Sequence, residues 1–491
     1  MHILLIGNDF HFEMQNVCRL FLPDEKIVTQ YNCTDDNTLP VPVVTGTLHS
    51  GAEGVHITVS LRTDTGTDTL VADLPCDVDS NTCELAMTTL LYQLLCVWQG
   101  HGQDWGLVTG VRPVKLLRRL TADFGREAAI RHFRNKLLVT PQKLELAQRV
   151  LGVENQILLL SRPDSCSLYV SIPFCPTRCD YCSFVSQTVT RAAHLIPQYV
   201  ECLQRELAHT GDIVKALGLR LETVYFGGGT PTTLSADQLS ALFATIEKHF
   251  DLSNLREYTV EAGRPDTVTE DKLRAIAAAG IDRISINPQT LQDHVLQAIG
   301  RKHTAAQFYK AYDLARYVGF ANVNADLIAG LPQDTLAGFE NTLQSILSLQ
   351  PESVTVHTLC LKRASNLVLQ HRTDDAEKED AAAMIAASVA GLTDHGYHPY
   401  YLYRQSRAVS NQENTGWAKP YKEGLYNVYI MDETHTILGC GAGAVTKLKD
   451  PYSEYLERIF NYKFPYEYNA HLEEMLHRKE RVSAFYEERR K

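Results

Sequence analysis

Three cysteines lie close together in the stretch Cys175-Pro176-Thr177-Arg178-Cys179-Asp180-Tyr181-Cys182. At this C-x₃-C-x₂-C spacing, each thiolate can hold one iron of a cubane from a single loop, whereas an electron-transfer cluster normally has four protein thiolates. One iron then keeps an open coordination position, as a catalytic metal site does. Zinc is the alternative, but the sequence has no second CxxC or HxxxH pair to close such a site. The spacing predicts a [4Fe–4S] cluster bound by Cys175, Cys179 and Cys182.

The remaining cysteines are scattered singly, mostly in apolar surroundings. Residues of this kind usually act as small buried hydrophobes in the reduced state. We therefore expect buried, reduced thiols at Cys18, Cys33, Cys76, Cys83, Cys96, Cys166, Cys202, Cys360 and Cys440.

A glycine run, Gly227-Gly228-Gly229, follows a short β-rich segment and precedes Thr230. Glycines let the backbone approach a ligand closely, and they expose N–H groups that can bind a carboxylate or another anion. A tight turn would also explain the run. Its position after a predicted strand, facing the cysteine loop, favours a binding role.

Polar residues also follow the later predicted strands, among them Glu261, Gln289, Arg301 and Asp326. Each could merely cap or solvate a strand end. Asp326 is the exception, because an unpaired carboxylate inside the apolar run Val323 to Ile328 would be costly without a hydrogen-bonding partner. We therefore expect Asp326 to have a partner or a ligand.

From Ser167 onward, short β-rich runs alternate with helix-length amphipathic segments, as in repeated βα units around a parallel sheet. The predicted strands are Leu168 to Ile172, Thr223 to Phe226, Tyr258 to Glu261, Arg283 to Ile286, Val323 to Ile328 and Ser353 to His357. The predicted helices are Leu195 to Leu217, Ala236 to His249, Thr269 to Ala279, Leu291 to Ile299, Ala305 to Val318 and Leu336 to Leu347. This α/β pattern predicts a partial (β/α)₆ barrel whose chemistry collects at the carboxyl ends of the strands.

The chain divides into three predicted regions. Residues 1–160 have the order of an α+β domain, to which we assign no role, and the segment Thr109 to Pro113 is either a functional loop or a plain connecting turn. Residues 161–393 hold the barrel. Residues 394–491 are aromatic-rich and punctuated by glycine, which indicates a C-terminal α+β region.

Composition limits the partners of this chain of 491 residues. Its formal net charge of −11 disfavours broad binding of a nucleic-acid backbone. The N-terminus lacks the features of a signal peptide, and no run approaches the roughly 18 to 20 apolar residues of a membrane span. We expect a cytoplasmic protein with no nucleic-acid partner.

Several of these segments together resemble the oxygen-independent coproporphyrinogen III oxidase family, and within it the HemZ subgroup, also called coproporphyrinogen dehydrogenase. The resemblance covers about residues 165 to 450. It rests on Tyr169-Val170-Ser171-Ile172-Pro173-Phe174-Cys175, the cysteine triad, Tyr225-Phe226-Gly227-Gly228-Gly229-Thr230-Pro231-Thr232, Arg283-Ile284-Ser285-Ile286, Gly300-Arg301-Lys302-His303 and Asp326-Leu327-Ile328-Ala329-Gly330-Leu331-Pro332.

The resemblance implies a radical S-adenosylmethionine (SAM) barrel with a [4Fe–4S] cluster and SAM as cofactors. It also implies that SAM contacts Tyr169, Tyr181, Gly228, Gly229, Thr230, Glu261, Gln289, Arg301 and Asp326. In the family reaction, a 5′-deoxyadenosyl radical removes hydrogen from a propionate, and loss of CO₂ and an electron leaves a vinyl group. Two propionates of coproporphyrinogen III react, giving protoporphyrinogen IX in porphyrin and haem biosynthesis. The implied partners are a tetrapyrrole substrate and an unidentified reducing protein.

Two positions depart from the family pattern. Phe184 stands where oxidases of the family commonly have a further cysteine, and a haem-binding relative also tends to have Phe there. Asn287-Pro288-Gln289 replaces the commoner Gly-Val-Gln. A haem-binding chaperone and another radical SAM reaction on a tetrapyrrole therefore remain alternatives. The sequence also leaves open which cations meet the substrate carboxylates, among Arg264, Lys362, Arg363, Arg404 and Arg407.

Overall fold

The computed structural model describes residues 1–33, 38–182, 186–361 and 376–489. The chain forms two compact units, one of Met1–Gln148 with Arg404–Arg407 and the other of Arg149–Tyr403 with Ala408–Lys491. Within the described ranges, no helix combines the length and apolar character needed to cross a membrane.

Helices occur in both halves of the chain. In the first 160 residues they span His11–Phe21, Ser80–Gln99, Pro113–Phe124, Arg126–Asn135 and Pro141–Leu158. Further along they span Val189–Ala192, Ile196–Leu217, Ala236–His249, Glu270–Ala278, Asp293–Ala298, Ala305–Val318, Leu336–Leu349, Ala376–Asp394, Leu425–Asp432, Pro465–Ala470 and Leu472–Arg489.

The first unit contains a mixed sheet. Its strands are β1 (His2–Ile6), β2 (Val28–Tyr31), β3 (Val43–Gly51), β4 (Gly54–Thr63) and β5 (Gly66–Leu74), in the order β2-β1-β3-β4-β5. Strand β1 pairs in parallel with β2 and β3, and β3, β4 and β5 form an antiparallel meander. Leu5, Ile57 and Leu91 are fully buried in its core, so the predicted α+β fold of this region is confirmed.

The second unit is built on a long sheet. Its described strands are β6 (Ser165–Ile172), β9 (Arg220–Gly228), β10 (Glu257–Glu261), β11 (Arg283–Ser285), β12 (Asn322–Ala329), β13 (Ser353–Thr358), β14 (His398–Arg404), β15 (Glu413–Ala418), β16 (Thr436–Cys440), β17 (Val445–Lys449) and β18 (Leu456–Phe460). Two short strands, β7 (Phe174–Cys175) and β8 (Gln187–Thr188), pair separately.

Six strands of this sheet, β6 and β9 to β13, lie side by side in parallel, and a helix follows each. The strand order is β14-β15-β13-β12-β11-β10-β9-β6-β16-β17-β18. Its first and last strands do not pair with each other, so the sheet is open and the predicted partial (β/α)₆ barrel is confirmed. The C-terminal strands extend it at both edges, since β15 pairs with β13 and β16 pairs with β6.

The pleat of the strands separates core residues from site residues. Side chains of a strand point alternately to opposite faces, so Val323, Ala325 and Leu327 share one face of β12. These three are buried. Asn324 and Asp326 share the opposite face, which the polar side chains of the neighbouring strands also use.

The scattered cysteines only partly follow the expectation of burial. Several are buried as predicted, for example Cys18 and Cys166. Cys76 is exposed, and Cys33, Cys96 and Cys360 are partly exposed, so the prediction is wrong for these four. Cys76 follows the end of β5 at the surface of the first unit, where the neighbouring apolar residues do not cover it.

Candidate active site

The cysteine loop begins directly after β6. Cys175 ends the short strand β7, and the thiols of Cys175, Cys179 and Cys182 are all half-buried. The N–H of Cys182 donates to the carbonyl of Cys179 (3.1 Å), which closes the turn. The N–H of Asp180 donates to the carbonyl of Ile299 (2.9 Å), which ties this loop to the segment that carries Arg301.

The cysteine triad fits a cubane better than a single ion. No three Cys, His, Asp or Glu side chains in the described parts of the chain are grouped closely enough to hold one metal ion. A single tetrahedral zinc would need such grouping, because bonds of about 2.3 Å bring ligand sulfurs within about 4 Å of each other. A cubane places its irons at separate corners, so three half-buried thiols spread along one loop suit it.

The glycine loop packs against the cysteine loop. The N–H groups of Gly229 and Thr230 donate to the carbonyls of Ile172 and Phe174, both at 2.8 Å. The Thr230 hydroxyl donates to Cys175 Sγ (3.5 Å). These two N–H groups are therefore occupied within the protein, and they are not the free anion donors that the sequence predicted.

Gly229 shows how tight this packing is. A Cβ atom there would lie 2.6 Å from the carbonyl oxygen of Phe174, 2.9 Å from that of Ile172 and 3.0 Å from Cys175 Sγ. Such contacts are too short for any larger side chain. The glycine is required by the approach of one loop to the other, which the sequence could not reveal.

Arg301 connects three strand-end segments. Its guanidinium is buried and donates to the Tyr181 hydroxyl (2.9 Å) and to the carbonyls of Gly263 (2.7 Å) and Asn287 (3.1 Å). Burial raises the pKa of the Tyr181 phenol, although the adjacent Arg301 opposes that shift. Two predicted site residues, Tyr181 and Arg301, are thus brought into direct contact.

His303 lies behind Arg301, and the sequence indicated no role for it beyond its place in the segment Gly300-Arg301-Lys302-His303. It accepts a hydrogen bond at Nδ1 from Arg301 Nε (3.3 Å). Burial, together with the positive charges of Arg301 and Arg264, lowers the pKa of His303 to about 3. The ring is therefore neutral at physiological pH, as its acceptor role requires.

Glu261, at the end of β10, is a carboxyl in a low-polarity environment. Burial raises its pKa to about 7, against the opposing effect of a hydrogen bond from the Tyr225 hydroxyl (2.6 Å). The negative charge of Asp326 contributes to the rise, and the charge of His357 opposes it. Glu261 can therefore change protonation state near neutral pH.

Asp326 has the partners that its position in an apolar strand demands. Asn324 donates to its carboxylate (2.7 Å), and His357 Nε2 lies 3.7 Å from the other carboxylate oxygen. Burial alone would raise the pKa of Asp326, but these partners outweigh it and the pKa is lowered. The interaction with Asp326 in turn raises the pKa of His357, although burial opposes that rise. The sequence placed His357 at the end of its strand without assigning it a function.

Gln289 has an unusual backbone and an unmatched side chain. Its φ is +66°, in the left-handed region that is uncommon for a residue other than glycine. Its N–H donates to the carbonyl of Asp326 (2.9 Å), and its carbonyl accepts from Ile328 (3.0 Å). Its Oε1 atom is buried and accepts no hydrogen bond from the residues that the structure describes. A buried acceptor in this state is suited to a ligand donor.

A stack of tyrosines lies beside Glu261, and Tyr169 alone among its members was predicted to contact SAM. The Tyr169 ring is stacked with those of Tyr225 (6.3 Å between centroids) and Tyr426 (6.0 Å). The Tyr225 and Tyr426 centroids are 4.5 Å apart. Tyr426 belongs to the helix Leu425–Asp432 of the C-terminal region, and the first N–H of this helix donates to the carboxylate of Glu257. The register of β6 and β9 sets Tyr169 opposite Tyr225 in the structure.

The cations considered as partners of substrate carboxylates differ in whether the structure describes them and in which groups they contact. Lys362 and Arg363, like Phe184, lie outside the described residues. Arg264 is buried and engaged with the cysteine loop. Arg404 is buried in the first unit and donates to the Val108 carbonyl. Both of these arginines therefore have hydrogen-bond partners within the protein.

Comparison with known proteins identifies the type of barrel. Residues 169–346 match the model of the radical SAM superfamily. The chain is 40% identical over 395 residues to the oxygen-independent coproporphyrinogen-III oxidase-like protein HemZ of Bacillus subtilis, covering 78% of each chain. It is 32% identical to the heme chaperone HemW of the same organism, over 61% of this chain and 77% of HemW.

A solved structure agrees with this fold. The coproporphyrinogen III oxidase HemN of Escherichia coli, a radical SAM enzyme, superimposes with a TM-score of 0.51 at 24% identity. The match covers 65% of this chain and 72% of HemN.

Proposed function

Because the chain belongs to the oxygen-independent coproporphyrinogen III oxidase-like family of radical SAM proteins, we propose that it decarboxylates two propionates of coproporphyrinogen III to vinyl groups, giving protoporphyrinogen IX. Its cofactors are a [4Fe–4S] cluster and SAM. When bound, the cluster and SAM would supply the one-electron chemistry that activates a propionate. A cytoplasmic location and an unidentified reducing protein belong to this proposal and rest on the sequence.

Cys175, Cys179 and Cys182 hold the cluster in this proposal. The observation that carries it is the packing of the glycine loop on the cysteine loop, with Thr230 donating to Cys175 Sγ at 3.5 Å. This contact fixes one predicted ligand against the strand end that holds the glycines. Arg301 fixes the other end of the loop by its hydrogen bond to Tyr181.

SAM lies across the carboxyl ends of the strands in this proposal. Two kinds of group there suit it. The carboxylate of Asp326 and the ionised form of Glu261 complement a cationic sulfonium and ammonium, and the unmatched Oε1 of Gln289 can accept a ligand hydrogen bond. The proposed contacts are Tyr169, Tyr181, Gly228, Gly229, Thr230, Glu261, Gln289, Arg301 and Asp326.

The tetrapyrrole is the least constrained part of the proposal. The tyrosine stack of Tyr169, Tyr225 and Tyr426 offers flat aromatic surface beside Glu261, and a planar pyrrole can pack on such surface.

A haem-binding chaperone of the same family is the second candidate, since HemW is also a relative. Such a protein would keep the cluster and bind haem without decarboxylating a tetrapyrrole. Another radical SAM reaction on a tetrapyrrole would leave a product of different composition.

One preparation can distinguish these functions. Full-length protein with a reconstituted cluster is incubated anaerobically with SAM, a one-electron reductant and coproporphyrinogen III, and the tetrapyrrole is analysed by mass spectrometry. Each converted propionate loses CO₂ and two hydrogens, and vinyl products are expected. Cys182→Ala serves as the control without chemistry. Stoichiometric haem binding with an unchanged coproporphyrinogen mass, from protein that retains its cluster, would overturn the oxidase assignment in favour of a chaperone.

A further inference from the structure

The segment after β10 folds back on itself so that Arg264 and Asp266 form a two-pronged ion pair. Arg264 Nε and Nη2 donate to the two oxygens of the Asp266 carboxylate, both at 3.0 Å. The turn Pro265–Thr267 makes this possible by directing the carboxylate towards the preceding arginine. The Arg264 side chain is only 4% exposed, whereas that of Asp266 is 20% exposed.

The remaining donors of Arg264 reach the cysteine loop. Nη1 donates to the carbonyl and the hydroxyl of Thr177, both at 3.2 Å, and Nη2 donates to the same hydroxyl at 3.1 Å. Nη1 also donates to Cys179 Sγ at 3.7 Å. A single guanidinium therefore fixes the middle of the cysteine loop and contacts the sulfur of a proposed cluster ligand.

We propose that Arg264 is a positioning residue that raises the reduction potential of the bound cluster by placing a cation and an N–H donor on Cys179. This inference rests on the proposed function, in which Cys179 ligates the cluster. Reduction adds one electron from an external donor to the cluster and its thiolates. A hydrogen bond to a ligand sulfur, and positive charge beside it, favour the form that carries more negative charge.

Asp266 sets the size of this effect. Its carboxylate offsets part of the guanidinium charge, so the two residues act on the potential in opposite directions. A neutral side chain at position 264 removes the cation and lowers the potential. A neutral side chain at position 266 leaves the cation less compensated and raises it. A residue that only held the loop in shape would not give shifts of opposite sign.

The test uses full-length protein with an anaerobically reconstituted cluster. The midpoint potential is measured by redox titration with dithionite, followed by the electron paramagnetic resonance signal of the reduced cluster. The variants are Arg264→Gln, Arg264→Lys and Asp266→Asn, with Arg274→Gln as the matched control. Arg274 is also paired with an acidic residue, Glu270, but on the exposed surface of the helix Glu270–Ala278.

We expect a more negative potential in Arg264→Gln, a less negative one in Asp266→Asn, an intermediate value in Arg264→Lys, and no change in Arg274→Gln. Unchanged potentials in Arg264→Gln and Asp266→Asn at wild-type iron and sulfide content would overturn the inference. If Arg264→Gln cannot hold a cluster, Asp266→Asn decides alone: a rise supports the inference and no rise overturns it. A wild-type chain that binds no cubane would instead refute the cluster assignment itself, which the iron content shows before any variant is compared.

Discussion

The hydroxyl of Tyr225 donates a 2.6 Å hydrogen bond to the carboxylate of Glu261, and the Tyr225 ring stacks on Tyr426 from the C-terminal region. The two residues come from adjacent parallel strands, β9 and β10. This contact links the aromatic stack to a carboxyl whose pKa is raised to about 7. The protonation state of Glu261 therefore depends on how the barrel interior is packed.

Loss of the Tyr225 hydroxyl should weaken SAM binding near neutral pH. In Tyr225→Phe, the ionised form of Glu261 loses a hydrogen bond, so its pKa should rise further above about 7. SAM affinity, if it needs the carboxylate, should then be about tenfold lower at pH 7, and its pH curve should move to higher pH. Equilibrium dialysis across a pH series measures both effects.

The matched control for this change is Tyr317→Phe, since Tyr317 is 73% exposed and lies on a helix. It should bind SAM as the wild type does. An unchanged pH curve in Tyr225→Phe, with the cluster retained, would show that Glu261 does not act on SAM through its charge.

Glu261 should also make the protein's free energy of unfolding depend on pH. Its folded pKa, about 7, lies above the ordinary value of 4.5. The stability that it contributes is thus fully present below about pH 4.5 and is lost as pH rises through about 7. The free energy of unfolding of the wild type, relative to Glu261→Gln, should fall across that window by at most about 3 kcal/mol and then level off.

Urea unfolding of cluster-free protein at several pH values between about 5 and 8 measures this difference. Glu145→Gln, at an exposed helical position, is the matched control. If the difference in unfolding free energy between the wild type and Glu261→Gln stays constant over this pH range, Glu261 is ionised throughout it.

Each cysteine of the triad should be indispensable for the cubane. Cys175→Ala, Cys179→Ala and Cys182→Ala each remove the only protein ligand of one iron, so iron and sulfide content and the reduced-cluster signal should be lost. The structure offers a better control than a core cysteine: Cys76 is exposed, so Cys76→Ser changes a thiol without disturbing packing. A triad variant with wild-type iron, sulfide and SAM cleavage would refute the assignment.

The sequence predicted the barrel well because its signal is local. The predicted strand Val323 to Ile328 lies within the observed Asn322–Ala329, and the predicted helix Ala236 to His249 matches the observed one. Apolar segments separated by glycine-containing turns are sufficient to predict such strands and helices. Strand β5 (Gly66–Leu74) was missed because its first half is exposed, and only Leu70, Ala72 and Leu74 pack against the core.

The candidate site was predicted in type but not in its contacts. The strand ends supplied Glu261 and Asp326, but the partners Tyr225 and Asn324 gave no signal of their own in the sequence. Tyr426 is more than two hundred positions from Tyr169, so their stacking depends on tertiary structure alone. Arg264 was considered for a substrate carboxylate, yet its donors are committed to Asp266 and the cysteine loop.

The close packing at Gly229 is against the protein's own backbone. The glycine run was expected to bring backbone close to a ligand, but a Cβ atom at Gly229 would first meet the carbonyl oxygens of Phe174 and Ile172, at 2.6 and 2.9 Å. Backbone carbonyls cannot rotate away as a flexible side chain can, so Gly229→Ala should push the glycine and cysteine loops apart. We expect a loss of about 1 to 3 kcal/mol in the free energy of unfolding and a lower iron content after reconstitution.

Gly152→Ala is the matched control for this variant. Gly152 lies inside the helix Pro141–Leu158, and a Cβ atom there would meet nothing within 4 Å. Alanine favours a helix over glycine by about 1 kcal/mol, so this variant should be as stable as the wild type or more so, with full iron content. The two variants add the same methyl group, so a difference between them reports the surroundings and not the chemistry of the substitution. If Gly229→Ala instead keeps wild-type stability and iron but binds SAM more weakly, the close approach at Gly229 is to the ligand after all.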